Sequence, residues 1–269
     1  MSDVAATARR ASNSSAMEAA ARAGLTARAT IYVLMGLIAF QVAAGSSDQE
    51  TDQRGALSAL ARNTGGKVAL MLLAVGFAGY ALWRLSETLF GAAGEGKKVM
   101  PRVKSLVRAV IYGSFAYSTL QLLTGSSGKT QDAQQQGVTA QALSHTGGQL
   151  AVATVGVVVA VVGLSMVWEG ATWKFEKLLR MSDMNRSTRA VVSKLGMVGT
   201  IARGLVIALA GSLVIDAAVR SRPDKAHGLD GALRTLASQP YGGVLLGMAA
   251  AGLIVFGCYG YAEARWHRT

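Results

Sequence analysis

Gly66-Lys67-Val68-Ala69-Leu70-Met71-Leu72-Leu73-Ala74-Val75-Gly76-Phe77-Ala78-Gly79-Tyr80-Ala81-Leu82-Trp83-Arg84-Leu85-Ser86-Glu87 is the stretch whose reading decides the fold. It carries no charge between Lys67 and Arg84. As a helix it is long enough for a bilayer core, which takes about 20 residues at 1.5 Å each. The same design returns twice: Gly148 leads to Glu169 and Gly242 to Glu263, each pair 21 residues apart like Gly66 and Glu87. Upstream, Gly55, Gly137 and Gly231 each lie 11 residues before those glycines. Further upstream, Arg28, Arg108 and Arg203 each open another apolar stretch. A self-similar period of this kind is the mark of a repeated supersecondary unit.

The unit is two apolar helices, used three times. The expected fold class is therefore an all-α membrane protein with six transmembrane helices in three helical hairpin repeats. The expected spans are 28–45, 67–86, 108–124, 149–168, 203–219 and 243–262. Every repeat starts and ends on the same side. The hairpins are thus parallel copies about an axis along the membrane normal, a pseudo-threefold arrangement. The expected organisation is an N-terminal cytoplasmic segment 1–27, a first hairpin 28–91, a second 103–175, a cytoplasmic amphipathic linker 176–195 and a third hairpin 196–266.

Composition agrees with that reading. Of 269 residues, 51% are hydrophobic and 16% charged, below the roughly one quarter charged of soluble domains. The formal net charge is +12. Of 27 Lys and Arg, 19 fall in the N-terminus, the C-terminus and the segments 84–108 and 169–203, and 8 in the other three loops. Basic loops stay in the cytoplasm, so both termini are expected there, in a bacterial inner membrane. The partners expected are the bilayer with its anionic headgroups and, beyond lipid, a homo-oligomer or another membrane protein. Nucleic acid is not expected, because no basic patch is interleaved with aromatics. No signal peptide is read at Arg9-Arg10, which no apolar core follows. Ser15 and Glu18 fit a capping box that starts a helix leading into the first span.

The repeat assigns candidate residues. Nearly all side chains on one face of each first helix are small: Ala29, Val33 and Gly36; Ala109, Gly113 and Ala116; Gly204, Ala208 and Gly211. In the second helices Ala74, Gly156 and Ala250 are followed seven residues later by Ala81, Gly163 and Gly257. Such seams let membrane helices approach closely. The charged ends Arg28, Glu87, Arg108, Glu169, Arg203 and Glu263 return to one membrane boundary at similar depth. They are read as structural clasps, Arg28–Glu87, Arg108–Glu169 and Arg203–Glu263, formed within a repeat or between neighbouring repeats. Thirteen residues after each arginine comes a polar layer of Gln41, Gln121 and Asp216. Arg220, one helical turn beyond Asp216, can neutralise it. Tyr80, Trp83, Trp168, Trp173, Tyr259, Tyr261 and Trp266, with Tyr32 and Tyr112, read as a girdle at the headgroups. Short apolar pieces at 55–60, 137–143 and 231–236 read as one or two helical turns docked at the outer boundary.

No site for chemistry emerges. Catalytic, cofactor and metal residues are none. His145, His227 and His267 are scattered, and Cys258 stands alone. Walker, dinucleotide, zinc-protease and serine-hydrolase patterns are missing. Asp48, Glu50 and Asp52 read as a solvated loop. The chain is expected to be no enzyme but a structural or interaction protein of the bacterial envelope. The alternative is a small-solute or ion channel or transporter along the pseudo-threefold axis.

The motifs together resemble one known family. They are Ala27-Arg28-Ala29-xx-Tyr32, Val107-Arg108-Ala109-xx-Tyr112 and Ala202-Arg203-Gly204 in the first helices. Gln239-Pro240-Tyr241-Gly242 stands in the third loop, and Tyr80-Ala81-Leu82-Trp83-Arg84-xx-Glu87 and Tyr259-Gly260-Tyr261-Ala262-Glu263 in the second helices. Over about residues 20–266 the chain resembles the bacterial membrane family called domain of unknown function 1206. Ile207 stands where the other two repeats have tyrosine. The resemblance implies three tandem two-helix membrane units and no particular activity.

Overall fold

The computed structural model describes residues 15–46, 51–61, 64–90, 99–124, 131–145, 147–223 and 226–267. Among them are nine α-helices and no β-strand. The long helices are α1 (Ser15–Ala43), α3 (Thr64–Phe90), α4 (Val99–Leu123), α6 (Gly148–Ala171), α7 (Arg186–Val219) and α9 (Gly242–Trp266). Between them lie the short helices α2 (Gln53–Ala61), α5 (Gln131–Leu143) and α8 (Leu229–Ala237), which contain the apolar loop pieces.

Five of the long helices are apolar and long enough to cross a membrane: α1 over Arg22–Ala43, α3 over Gly65–Ser86, and α6, α7 and α9. Helix α4 falls short of that measure. Arg102, Lys104 and Arg108 occupy its first half, and Ser114, Ser118, Thr119 and Gln121 dilute its second. The outer surface identifies the solvent. On α6 the buried residues are Gly148, Val152, Gly156, Gly163 and Gly170, one stripe, while Val155, Val158, Val161 and Leu164 are exposed. A helix that buries glycine and exposes valine is an inverted amphiphile in water, but it suits hydrocarbon. The protein is a multi-pass helical membrane protein.

Helix α7 is 34 residues long. At 1.5 Å per residue it measures about 51 Å, well beyond a hydrocarbon core of about 30 Å. Asn185 caps it, its Oδ1 accepting from the Thr188 amide at 2.7 Å. The second half of the expected 176–195 linker is therefore nearly the first three turns of this helix. The first half is two short 3-10 segments, Lys174–Leu178 and Met181–Asp183. Here Phe175 and Leu179 are buried, and Ser193 bonds Glu176 at 2.5 Å.

The contacts define two units. The first takes Met1–Ala29, Leu57–Ser127 and Gly260–Thr269; the second takes Thr30–Ala56 and Gly128–Tyr259. In the first unit α3 packs on α4. Phe77, Tyr80, Tyr112 and Phe115 form the seam, with the Tyr80 and Tyr112 ring centroids 4.4 Å apart. In the second unit α6 packs on α7 through glycine. A Cβ on Gly204 would stand 2.7 Å from the Gly163 carbonyl oxygen, and one on Gly211 would stand 2.9 Å from that of Gly156. Helices α1 and α9 also meet: a Cβ on Gly36 would stand 2.7 Å from the Ala250 oxygen, and Tyr32 stacks edge-on against Phe256 at 4.8 Å.

Candidate functional site: the charged helix ends

Each of these contacts joins the second helix of one repeat to the first helix of another: α3 to α4, α6 to α7, α9 to α1. One pair of charged helix ends follows that arrangement. In the first unit the Arg28 guanidinium donates to the Glu263 carboxylate at 2.5 Å, with side chains 15% and 10% exposed. Beside this pair a Cβ on Gly260 would stand 2.9 Å from the Ala29 Cβ, so the seam residue sits directly under the clasp. A carboxylate and guanidinium this dry would each be costly alone, and mutual pairing offsets much of that cost.

His267 shares the same carboxylate, with its Nδ1 3.9 Å from Glu263 Oε1. Burial holds this imidazole below its ordinary value of 6.5. Glu263 pulls the other way, and the positive fields of Arg84, Arg28 and Arg108 add to the lowering. The ring is thus biased toward its neutral form.

Arg84 is buried, its guanidinium 4.2 Å above the Trp83 ring and 5.0 Å above the Tyr80 ring. Its Nε and Nη2 donate to the Tyr80 hydroxyl at 3.0 and 2.8 Å. The i to i+4 spacing on α3 makes this contact automatic. Arg108 is exposed on α4. The side chain of Glu87 lies outside the described residues.

The remaining two charged ends are in the second unit, and the structure does not bring them together. Glu169 is exposed on α6 and makes no ion pair among the described residues. The Arg203 guanidinium stands over two rings, 5.0 Å from Tyr32 and 4.8 Å from Phe256. Arg203 has Ile207 where Arg28 and Arg108 have a tyrosine four residues on. It takes its aromatic partners from α1 and α9, and such cation–π contact is worth about 1–2 kcal/mol when desolvated.

These rings depart from the expected girdle. Tyr32, Tyr80, Trp83, Tyr112 and Tyr259 are buried, and only Trp168, Trp173 and Tyr261 of the group are exposed. Tyrosine at a headgroup and tyrosine under an arginine occupy the same depth. The signal that separates them is the neighbouring arginine at helical spacing.

At the other end each residue of the expected polar layer has surroundings of its own. Gln41 is exposed, Gln121 donates to the Tyr117 hydroxyl at 3.0 Å, and Asp216 pairs with Arg220 at 2.6 Å. Sequence reasoning missed the lock that does form there. Asp230, buried on α8, accepts from the Thr51 amide at 2.6 Å and from its hydroxyl at 2.9 Å, and pairs with Arg234 at 2.8 Å. Asp52 caps α2 by accepting from the Gly55 amide at 2.8 Å. Asp48 and Glu50 lie outside the described residues. No group of three or more metal-ligating side chains occurs among the described residues.

Comparison with known proteins agrees with the repeat. The chain is 29% identical over 256 residues to the uncharacterized protein YxxB of Bacillus subtilis (strain 168), covering 92% of each chain. No solved structure matches. The family model described as Domain of Unknown Function (DUF1206) matches three times in tandem, over residues 23–91, 103–172 and 198–267. Those three matches begin before each arginine and end after each glutamate, on the boundaries the charged ends mark, and on them the chain belongs to the DUF1206 family.

Proposed function

We propose that this is a six-span inner-membrane protein with both termini in the cytoplasm and no enzymatic activity, acting as a structural or interaction protein of the bacterial envelope. In this reading α4 is the sixth span, carried by its partner α3 despite its diluted apolarity. The three like pairs, α3 with α4, α6 with α7 and α9 with α1, are related by a pseudo-threefold axis along the membrane normal. The arginine ends face the cytoplasm, where the excess of basic residues lies.

The single observation that carries the structural reading is the disposition of the polar layer. A conduction path needs a set of polar groups converging on water. Here Asp216 is neutralised by Arg220 on its own helix, and Gln41 is exposed. The small residues that would line a wide path instead bring backbones into contact, as at Gly163 and Gly204.

Two measurements test this. Reporter fusions near residues 95 and 185 are expected inside the cell and one near residue 48 outside. Purified protein in liposomes is expected to pass no ion or small solute above the empty-vesicle rate. A flux that Asp216→Asn changes would replace the structural reading with the transport one.

A further inference from the structure

The first unit gathers four basic side chains at one helix end: Arg28, Arg84, Arg108 and His267. Arg28 and His267 meet on Glu263. Arg84 and Arg108 lie within electrostatic reach of that histidine, and Arg108 within reach of Arg28 and Arg84. Among the described side chains of this cluster, three guanidiniums stand with one carboxylate, Glu263. His267 has a side chain only 10% exposed, and its Nδ1 is buried without a hydrogen bond. The cluster opens at Arg108, the exposed member. Val107, Val110 and Ile111 form one strip along α4, 52%, 64% and 42% exposed, and Arg108 borders that strip beside Ile111. A positive opening continuous with bare aliphatic surface matches an anion that carries its own hydrocarbon.

We propose that this end of the first unit binds the headgroup phosphate of an anionic phospholipid, with Arg108 as the contacting residue, Arg84 and Arg28 supplying the field behind it, and an acyl chain along Val107, Val110 and Ile111. Arginine suits the role because its planar fork meets two phosphate oxygens at once. Basic recesses between membrane helices take anionic headgroups by this chemistry. The inference rests on the reading of the arginine ends as the membrane boundary. It specifies one lipid site where that reading gives only a general attraction.

The test is thermal unfolding of the purified full chain in a non-ionic detergent, followed by tryptophan fluorescence. Phosphatidylglycerol, phosphatidylcholine or inorganic phosphate is added to wild type, Arg108→Gln, Arg108→Lys and Arg220→Gln. Phosphatidylglycerol is expected to raise the wild-type Tm by about 5 °C near saturation, and phosphatidylcholine by much less. Arg108→Gln loses the rise, while Arg108→Lys retains part of it and Arg220→Gln all of it. An equal rise with phosphatidylcholine, or an undiminished rise in Arg108→Gln, overturns the proposal. An equal rise with inorganic phosphate alone overturns the lipid assignment. The measurement in detergent is indifferent to orientation, so it fails separately from the reporter fusions.

Discussion

The α3–α4 pair and the α6–α7 pair stand at equivalent places in the repeat and are held by opposite means. The first is filled with rings: Phe77, Tyr80 and Tyr112 are buried between the helices. The second is emptied of side chains, so that Gly156, Gly163, Gly204 and Gly211 bring the two backbones together. In hydrocarbon no hydrophobic drive favours either solution, and both depend on dispersion contact and shape. The contrast shows that the small-residue pattern is necessary only where backbones touch. Gly113 of α4, in register with the close-packed residues of the other repeats, has nothing within 4 Å of the place its Cβ would take. The buried stripe of α4 runs through Ala109, Tyr112, Ala116 and Thr119, and Gly113 stands beside it in open space.

The sharpest way to break the comparison is to put a side chain into the glycine seam. Gly163→Leu drives carbon into the backbone of α7, where neither side can yield. It is expected to cost about 3 kcal/mol or more and to leave little folded protein by detergent size-exclusion chromatography. The converse change in the other pair, Phe77→Ala, removes filling rather than adding it. A cavity of that kind costs about 3 kcal/mol, seen as a lower Tm with the protein still monodisperse. The same conservative substitution then separates the two seams. Gly113→Ala is expected to raise stability by up to about 1 kcal/mol, since helix propensity improves and nothing is displaced. Gly163→Ala is expected to lower Tm.

The smallest effect concerns pH. His267 is depressed below its ordinary value, chiefly by burial. As pH falls through about 6.5 the unfolded chain takes a proton that the folded chain still refuses, so the unfolded state binds more protons. Stability is complete above that value and declines as pH drops toward the folded-state value. Tm in detergent should fall as pH is lowered through and below about 6.5, and His267→Gln should flatten the decline. A wild-type profile as flat as the variant's would remove His267 from the account.

Much of this was legible in the sequence, for physical reasons that also mark where legibility stops. The recurrence of Arg, Gly and Glu at matched spacing could be read because a helix converts spacing into depth. The small-residue faces could be read because a seven-residue repeat stays on one helical face, and Gly204, Ala208 and Gly211 do meet Gly163 and Ala160. The docked loop helices showed in their short apolar pieces. Partner choice did not show. Arg28 lies at the same depth as Glu87 and Glu263, and spacing alone cannot choose between carboxylates on different helices. The aromatic residues misled for a similar reason, since depth does not say whether Tyr80 faces lipid or Tyr112. The Thr51–Asp230 lock joins residues 179 positions apart and leaves no local trace. The repeat predicts a span over α4, and the composition of α4 taken alone does not.

Second helices hold the first helices of other repeats, and the Arg28–Glu263 pair is the most direct place to measure it. Each single reversal, Arg28→Glu or Glu263→Arg, places like charges together in a dry site and should lower Tm by several degrees. Arg28→Glu combined with Glu263→Arg is expected to recover a substantial part of that loss, while Arg28→Glu combined with Glu87→Arg is not. Recovery by the Glu87 combination alone would place the clasp within a repeat and contradict the pairing described here.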